Sequence, residues 1–178
     1  MPAPVASTSP QSSALVIAIK KKTDGSASLA CRRADGSVAW QRQEGAQGRF
    51  FPLHDLTHYA VETVLGMNQA FYGLMASGWE FGDFGHPWPR GPMPADAIAA
   101  ELIVGYLDAE RAAGTTWSAG EFNAKASAYH GARGASPGFE LREADLELIR
   151  ETRAALFARW DALPAGATLE LPFPHGGR

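Results

Sequence analysis

Two Asp-Gly pairs near the start of the chain limit the folds that this sequence can adopt. Asp24-Gly25 and Asp35-Gly36 each stand between short runs of apolar or alternating residues. Because Asp-Gly tolerates the positive φ of a tight hairpin, each pair predicts a reversal between antiparallel strands. The runs ALVIAIKKK, ASLACRR and VAWQRQ therefore predict a three-strand meander within residues 13–43.

The rest of the chain has a mainly helical pattern. Alternation in TLELPF, at residues 168–173, predicts a fourth strand in the same sheet. Helical spacing and end signals predict five helices. The first covers Pro52–Leu65, and a short second helix is capped by Asn68. The third runs from Pro94 to Gly114, the fourth begins at the Ser118 capping box, and the fifth ends before Pro164. The predicted fold class is α+β, a small antiparallel sheet packed with about five α-helices.

Two of these helices allow their buried faces to be predicted. In the helix that begins near Pro94, spacing of i, i+4, i+7, i+8 and i+11 predicts an inward face of Ile98, Leu102, Gly105, Tyr106 and Ala109. In the last helix the inward face is predicted to be Leu146, Ile149, Leu156, Trp160 and Leu163.

Length and composition limit the classes of protein. A chain of 178 residues with 46% apolar and 20% charged residues is typical of one globular domain. We expect a disordered tail over residues 1–12 and a single domain over residues 13–174. One cysteine, Cys31, excludes an intramolecular disulfide and a cysteine-rich zinc module, and it favours a cytoplasmic location. No apolar run is long enough for a membrane helix.

The charge is uneven along the chain. Residues 1–50 hold seven Lys or Arg against three Asp or Glu, whereas residues 51–178 hold nine against sixteen. A basic sheet face could bind nucleic acid, and Lys20, Lys21 and Lys22 stand at the end of a strand. Lysines there also protect sheet edges, and a pI of about 5.9 is far from the basic range. We therefore do not expect nucleic acid as a partner.

Two histidines carry the clearest chemical signal. In PLHDLTHYAVETVL, residues 52–65, His54 and His58 share one helix face with Val61 and Leu65. Histidines at i and i+4 are the spacing by which one helix offers two nitrogens to one metal ion. The pair predicts a metal site that suits zinc, and also iron or manganese.

Such a site needs a third ligand and a proton-transfer group. The best candidate ligands lie in the Gly- and Pro-rich aromatic loop over residues 78–94, namely Glu80, Asp83 and His86; His130 is a weaker candidate. If the ion activates water, Asp55 or Glu62 would handle the proton. Alternatively, both histidines are structural, with His58 paired to Glu62 or Asp55.

The His54-Asp55-x-x-His58 pattern resembles the H-E-x-x-H helix of zinc metalloproteases. That resemblance implies zinc at the histidines and puts Asp55 in the place of the general-base Glu. Residues 52–82, with H-D-L-x-H-x-x-V-E and an aromatic-Gly helix, are similar to segments of uncharacterised bacterial proteins. This second resemblance implies no activity.

These patterns support two function hypotheses. The first is a metal-dependent hydrolase that acts on a small molecule or peptide. The second is a non-enzymatic α+β interaction module, in which the aromatic loop or the basic meander contacts a partner. The sequence predicts neither substrate nor oligomeric state.

Overall fold

A computed structural model describes residues 15–45, 48–134 and 138–174. Its strands are β1 (Leu15–Lys21), β2 (Ala27–Arg33), β3 (Val38–Gln43) and β4 (Thr168–Phe173). They form one antiparallel sheet in the order β3-β2-β1-β4, so the predicted meander and the added fourth strand are both confirmed. The predicted disordered tail, residues 1–12, lies outside the described residues.

The two hairpins form for the reason that the sequence indicates. Gly25 and Gly36 have φ of 81° and 85°, in the left-handed region that favours glycine. In each turn the Asp carboxylate accepts a hydrogen bond from the backbone N–H two residues later, at 2.9 Å for Asp24 and 2.8 Å for Asp35. Local chemistry alone therefore fixes these reversals.

Five α-helices follow in the described part of the chain, which confirms the α+β class. They are α1 (Phe51–Leu65), α2 (Phe71–Ala76), α3 (Ala95–Ala113), α4 (Ala119–Gly131) and α5 (Glu143–Ala162). Gly66 and Gly114 end α1 and α3 at φ of 64°, and Ser118 opens α4 with a capping box. None of the helices described is long and apolar enough to cross a membrane.

The start of α2 differs from the prediction. Asn68 does not cap this helix, because α2 begins at Phe71 with Ala70 at its N-cap. The backbone instead passes close to its own helix, and a Cβ at Gly73 would overlap the Asn68 carbonyl. Glycine is therefore required at this position by a close approach of two backbone segments.

The helices cover one face of the sheet. Burial alternates along the strands, with fully buried Leu15, Ile17 and Ile19 in β1 and exposed Trp40 at 58% in β3. The inward strand residues share one apolar core with residues of α1, α3 and α5. In α5 the predicted inward residues Leu146, Ile149, Leu156 and Trp160 are buried, as expected. Leu163, the fifth residue of the predicted face, is the C-cap residue of α5 and is only partly buried.

The predicted buried face of α3 is wrong. Ile98, Gly105 and Ala109 are exposed, while Ala100, Ile103, Val104 and Leu107 are buried. The helix is rotated because it packs against α1, and this contact buries the small and β-branched residues. Compared with the predicted orientation, this rotation turns the acidic residues Glu101 and Asp108 of α3 toward α1.

Two of the three lysines at the end of β1 have structural partners. The Lys21 ammonium donates to the carbonyls of Trp160 and Leu163, at 2.9 and 3.0 Å, and so caps the C-terminal end of α5. Lys22 pairs with Glu44 at 3.0 Å. The positive charges of Lys21 and Lys22 therefore have partners within the protein.

Candidate metal centre

The helix α1 brings the two histidines together. His54 and His58 lie one turn apart, with ring centroids 4.8 Å from each other. The rotated α3 adds Glu101, whose Oε1 lies 3.4 Å from Nε2 of His58. One ligand atom from each of these three residues lies within 4.8 Å of the other two, so the group could hold a metal ion.

A second pair of carboxylates holds both imidazoles in place. Nδ1 of His54 is 2.8 Å from Oδ2 of Asp108, and Nδ1 of His58 is 3.3 Å from Oε1 of Glu62. When Nδ1–H donates to a carboxylate, the lone pair of the ring is left on Nε2. Carboxylate-bound histidines of this kind are typical of metal ligands, because the outer carboxylate sets the tautomer and raises ligand basicity.

Glu62 lies behind His58 and has almost no exposed surface. Its second oxygen accepts hydrogen bonds from the backbone N–H groups of Tyr72 and Gly73, at 2.8 and 3.3 Å. Burial raises the pKa of Glu62, against the hydrogen bond from His58. This placement suits a group that orients His58, although the sequence predicted Glu62 as a proton-transfer group.

Asp55 points toward the sheet. Its carboxylate accepts a hydrogen bond from the side-chain amide of Gln43 in β3, and its backbone carbonyl accepts one from the Tyr72 hydroxyl at 3.1 Å. Burial raises the pKa of Asp55 to about 6, while the Gln43 hydrogen bond lowers it. Asp55 therefore ties α1 to the sheet and is not part of the three-residue group.

The charge on His58 depends on its two carboxylate neighbours. Burial lowers the pKa of His58, but the hydrogen bonds of Glu101 and Glu62 outweigh it and raise the pKa to about 10. The same contact keeps the pKa of Glu101 below its usual value, although burial raises it. The two carboxylates therefore favour the imidazolium form of His58 when no metal ion is bound.

The loop residues predicted as third ligands lie elsewhere. Glu80 contacts Arg33 at 3.1 Å and caps the 3-10 turn Phe81–Phe84. Asp83 binds Arg90 at 2.6 Å, and the exposed His86 packs against Trp88 with centroids 4.4 Å apart. None of the three joins the group of His54 and His58, in which Glu101 takes the third place.

Sequence reasoning missed Glu101 and Asp108 because it assigned the wrong inward face to α3. Both residues lie on the side that faces α1, seven positions apart, with the buried Val104 between them. A spacing of i and i+7 puts two side chains on one helix face. The sequence signal that could have identified them is two acidic residues seven positions apart with the apolar Val104 between them.

Aromatic rings border both histidines. Phe50, just before α1, has its centroid 5.3 Å from His54, and Phe71 lies 5.5 Å from His58. Phe84 of the loop packs on Phe71 at 4.9 Å, so the loop reaches the edge of the site. The side chain of Glu101 is 58% exposed, which leaves the group open to solvent on that side.

We call this contact between the two helices the α1–α3 seam, formed by Phe50, His54, His58, Glu62, Glu101, Asp108 and Arg111.

Comparison of the chain with models of protein families, with curated proteins and with solved structures found no match. The resemblance to bacterial proteins therefore stays a prediction. Arguments about function rest on the chemistry of the seam.

Proposed function

We propose that the protein is a metal-dependent hydrolase whose ion is held by His54, His58 and Glu101. The observation that carries this proposal is the carboxylate behind each histidine. Asp108 and Glu62 hold the Nδ1 atoms of His54 and His58, so in the neutral imidazoles the lone pairs lie on Nε2, and Nε2 of His58 is 3.4 Å from Glu101. Such support is expected of metal ligands.

The donor set suits a catalytic ion. Two imidazoles and one carboxylate are found in hydrolytic zinc sites, where the fourth position holds water; structural zinc sites use four protein ligands. Iron(II) and manganese also accept this set, but zinc is our first proposal. The ion would supply an acidified water molecule for hydrolysis. The exposed side of Glu101 gives a small molecule or peptide access to that position.

The spacing of the ligand atoms is compatible with one ion. Ligand atoms that share an ion at about 2.1 Å lie roughly 3 to 4 Å apart. The His58–Glu101 pair meets this condition at 3.4 Å. The ligand atoms of the group all lie within 4.8 Å of one another, so the widest pair needs to close by about 1 to 2 Å at most.

Metal analysis of untagged protein tests the metal site. We expect one equivalent of metal in the native chain and none in a His54→Ala/His58→Ala double variant. His86→Ala is the matched control, because it removes an imidazole of the loop and should keep its metal. A native chain that binds no added zinc, or a His86 variant that also loses it, would contradict the proposed site.

Turnover of a chromogenic ester, 4-nitrophenyl acetate, tests the catalytic part. The zinc-loaded chain should hydrolyse it faster than the chelated chain, and added zinc should restore the rate. A Glu101→Gln variant should lose this metal-dependent rate even at saturating zinc. Equal rates with and without metal would overturn the hydrolase while leaving metal binding in place.

A second candidate function is the non-enzymatic interaction module. The observation that favours it is that His58 lies between Glu62 and Glu101, at 3.3 and 3.4 Å, and as an imidazolium it satisfies both carboxylates without a metal. In that case His58→Ala should destabilise the fold, and native protein should contain no metal. The metal analysis therefore separates the two candidates.

For either candidate function, the buried reduced Cys31 supports a cytoplasmic location.

A further inference from the structure

The end of the α1–α3 seam next to His54 carries a basic side chain. Arg111 is the single Lys or Arg of α1 and α3, and it lies in the last turn of α3. The three carboxylates of the seam, Glu62, Glu101 and Asp108, make its surroundings acidic. Arg111 is therefore the group of these two helices that attracts an anion.

The guanidinium of Arg111 retains most of its binding capacity. Its Nη2 lies 3.5 Å from Oδ1 of Asp108, and it donates no hydrogen bond to any residue that the structure describes. By contrast, Arg150 and Arg153 of α5 donate to acceptors on or beside α3, at 2.5 to 3.0 Å. The side chain of Arg111 is 33% exposed, so its free N–H groups can reach a ligand.

Arg111 is linked to the candidate ligands through one carboxylate and one ring. Asp108 contacts His54 with one oxygen and Arg111 with the other. The guanidinium also lies over the ring of Phe50, 5.8 Å from its centroid, and Phe50 is 38% exposed. A cation above a partly exposed aromatic ring offers an anion contact and an apolar contact side by side.

We propose that Arg111 and Phe50 form a subsite for a carboxylate on the substrate of the metal site, with the apolar part of the substrate lying on Phe50. The inference rests on the proposed function. Carboxylate is favoured over phosphate because one arginine matches one negative charge, and the acidic seam would repel a dianion. Arg111 lies ten residues, about 15 Å along α3, beyond Glu101, but its guanidinium contacts Asp108, which also contacts His54. A ligand that reaches both the ion and Arg111 therefore spans less than this separation, on the order of 10 Å.

Binding of hydroxamates to the cobalt(II)-loaded chain tests this subsite, with the visible spectrum of cobalt as the readout. Suberic acid monohydroxamate spans the required distance, its methyl ester lacks the charge, and acetohydroxamate offers the metal-binding group alone. We expect the acid to bind about tenfold tighter than the ester, the gain typical of a charge-assisted hydrogen bond. Arg111→Gln should remove that preference, and Arg111→Lys should keep part of it.

The matched control is Arg142→Gln, because Arg142 forms a similar i,i+3 pair with Asp145 at the start of α5. It should keep the tenfold preference. Equal binding of acid and ester to the native chain would overturn the subsite, as would a preference that survives in Arg111→Gln. If Arg111→Gln weakens the binding of cobalt and of all three probes by the same factor, Arg111 only positions Asp108, and the proposed subsite is likewise wrong. A native chain that gives no cobalt spectrum before any probe is added overturns the proposed function itself.

Discussion

The α1–α3 seam and the loop over residues 78–94 contain the same kinds of side chain but use them differently. In the seam, two imidazoles and a carboxylate converge, and further carboxylates support them from behind. In the loop, each polar group contacts a different neighbour, with Glu80 on Arg33, Asp83 on Arg90 and His86 on Trp88. Ligand-type residues therefore form a candidate site only where rigid elements aim them at one point.

The rigidity of the seam explains this difference. Residues one turn apart on a helix keep a fixed separation, and α3 is held against α1 by buried Val104 and Leu107. The loop has no helical repeat to hold its side chains at fixed separations. Each of its two acidic residues instead pairs with a different arginine, and the pair of Glu80 with Arg33 joins the loop to the sheet. Variants matched between the seam and the loop test this difference.

The largest effect is expected from removing the acidic ligand. Glu101→Gln should lower zinc affinity by more than the roughly 10- to 100-fold that loss of an outer partner causes, because it removes a charged ligand of the ion. Competition with a chromogenic chelator measures this affinity. The control Glu80→Gln, in the loop, should bind zinc like the native chain, and a comparable loss there would contradict the assignment of the third ligand.

A smaller effect is expected from the carboxylate behind His54. Asp108→Asn keeps the shape of the side chain but weakens its hold on Nδ1, so zinc affinity should fall about 10- to 100-fold. Asp83→Asn is the matched loop variant and should have no effect on zinc. If Asp108→Asn leaves the affinity unchanged, the histidines are not oriented by the carboxylates as we infer.

Variants at the contacts of the loop, including Arg33 of β2 which binds Glu80, should change stability and not metal affinity. Arg33 is nearly buried, with 8% of its side chain exposed, and it donates to the Met75 carbonyl at 2.6 Å. Arg33→Met should lower the free energy of unfolding by about 1 to 3 kcal/mol, because it leaves buried carbonyls unpaired. The more exposed Arg90→Met should cost at most about 1 kcal/mol. Urea unfolding measures both, and a change in zinc content in either variant would contradict a purely structural loop.

The smallest effect is expected at Cys31. Burial, with a further contribution from Asp55, raises the pKa of this thiol to about 12. Since the thiolate is the reactive form, the native chain should react with Ellman's reagent very slowly at pH 8, and should keep its zinc throughout. Protein unfolded in guanidinium should react at once. Rapid reaction of the folded chain would show that the core around β2 opens more easily than its burial indicates.

Prediction from sequence succeeded where the signal is local. The Asp-Gly turns, the glycines that end α1 and α3, and the capping box of Ser118 are all present in the structure. Each depends on the φ of one residue or on a hydrogen bond between near neighbours. The His54 and His58 pair is equally local, because one helical turn brings the two rings together.

Prediction failed where packing between distant segments decides. The sequence predicts neither that Val104 of α3 packs against α1 nor that Asn68 passes beside Gly73, because both depend on helix orientation. A helix such as α3, with small apolar residues on most sides, allows several buried faces of similar energy. Periodicity alone could not choose among them.

Local sequence patterns therefore account for the four strands, most helix boundaries and one half of the candidate site, the pair of His54 and His58. The other half, which is Glu101 as the third member of the group and the carboxylates that contact the two histidines, depends on tertiary packing. The physical reason is that an i,i+4 pair is fixed by the backbone of one helix. A ligand from a second helix is fixed by how the two helices pack, and that depends on the whole core.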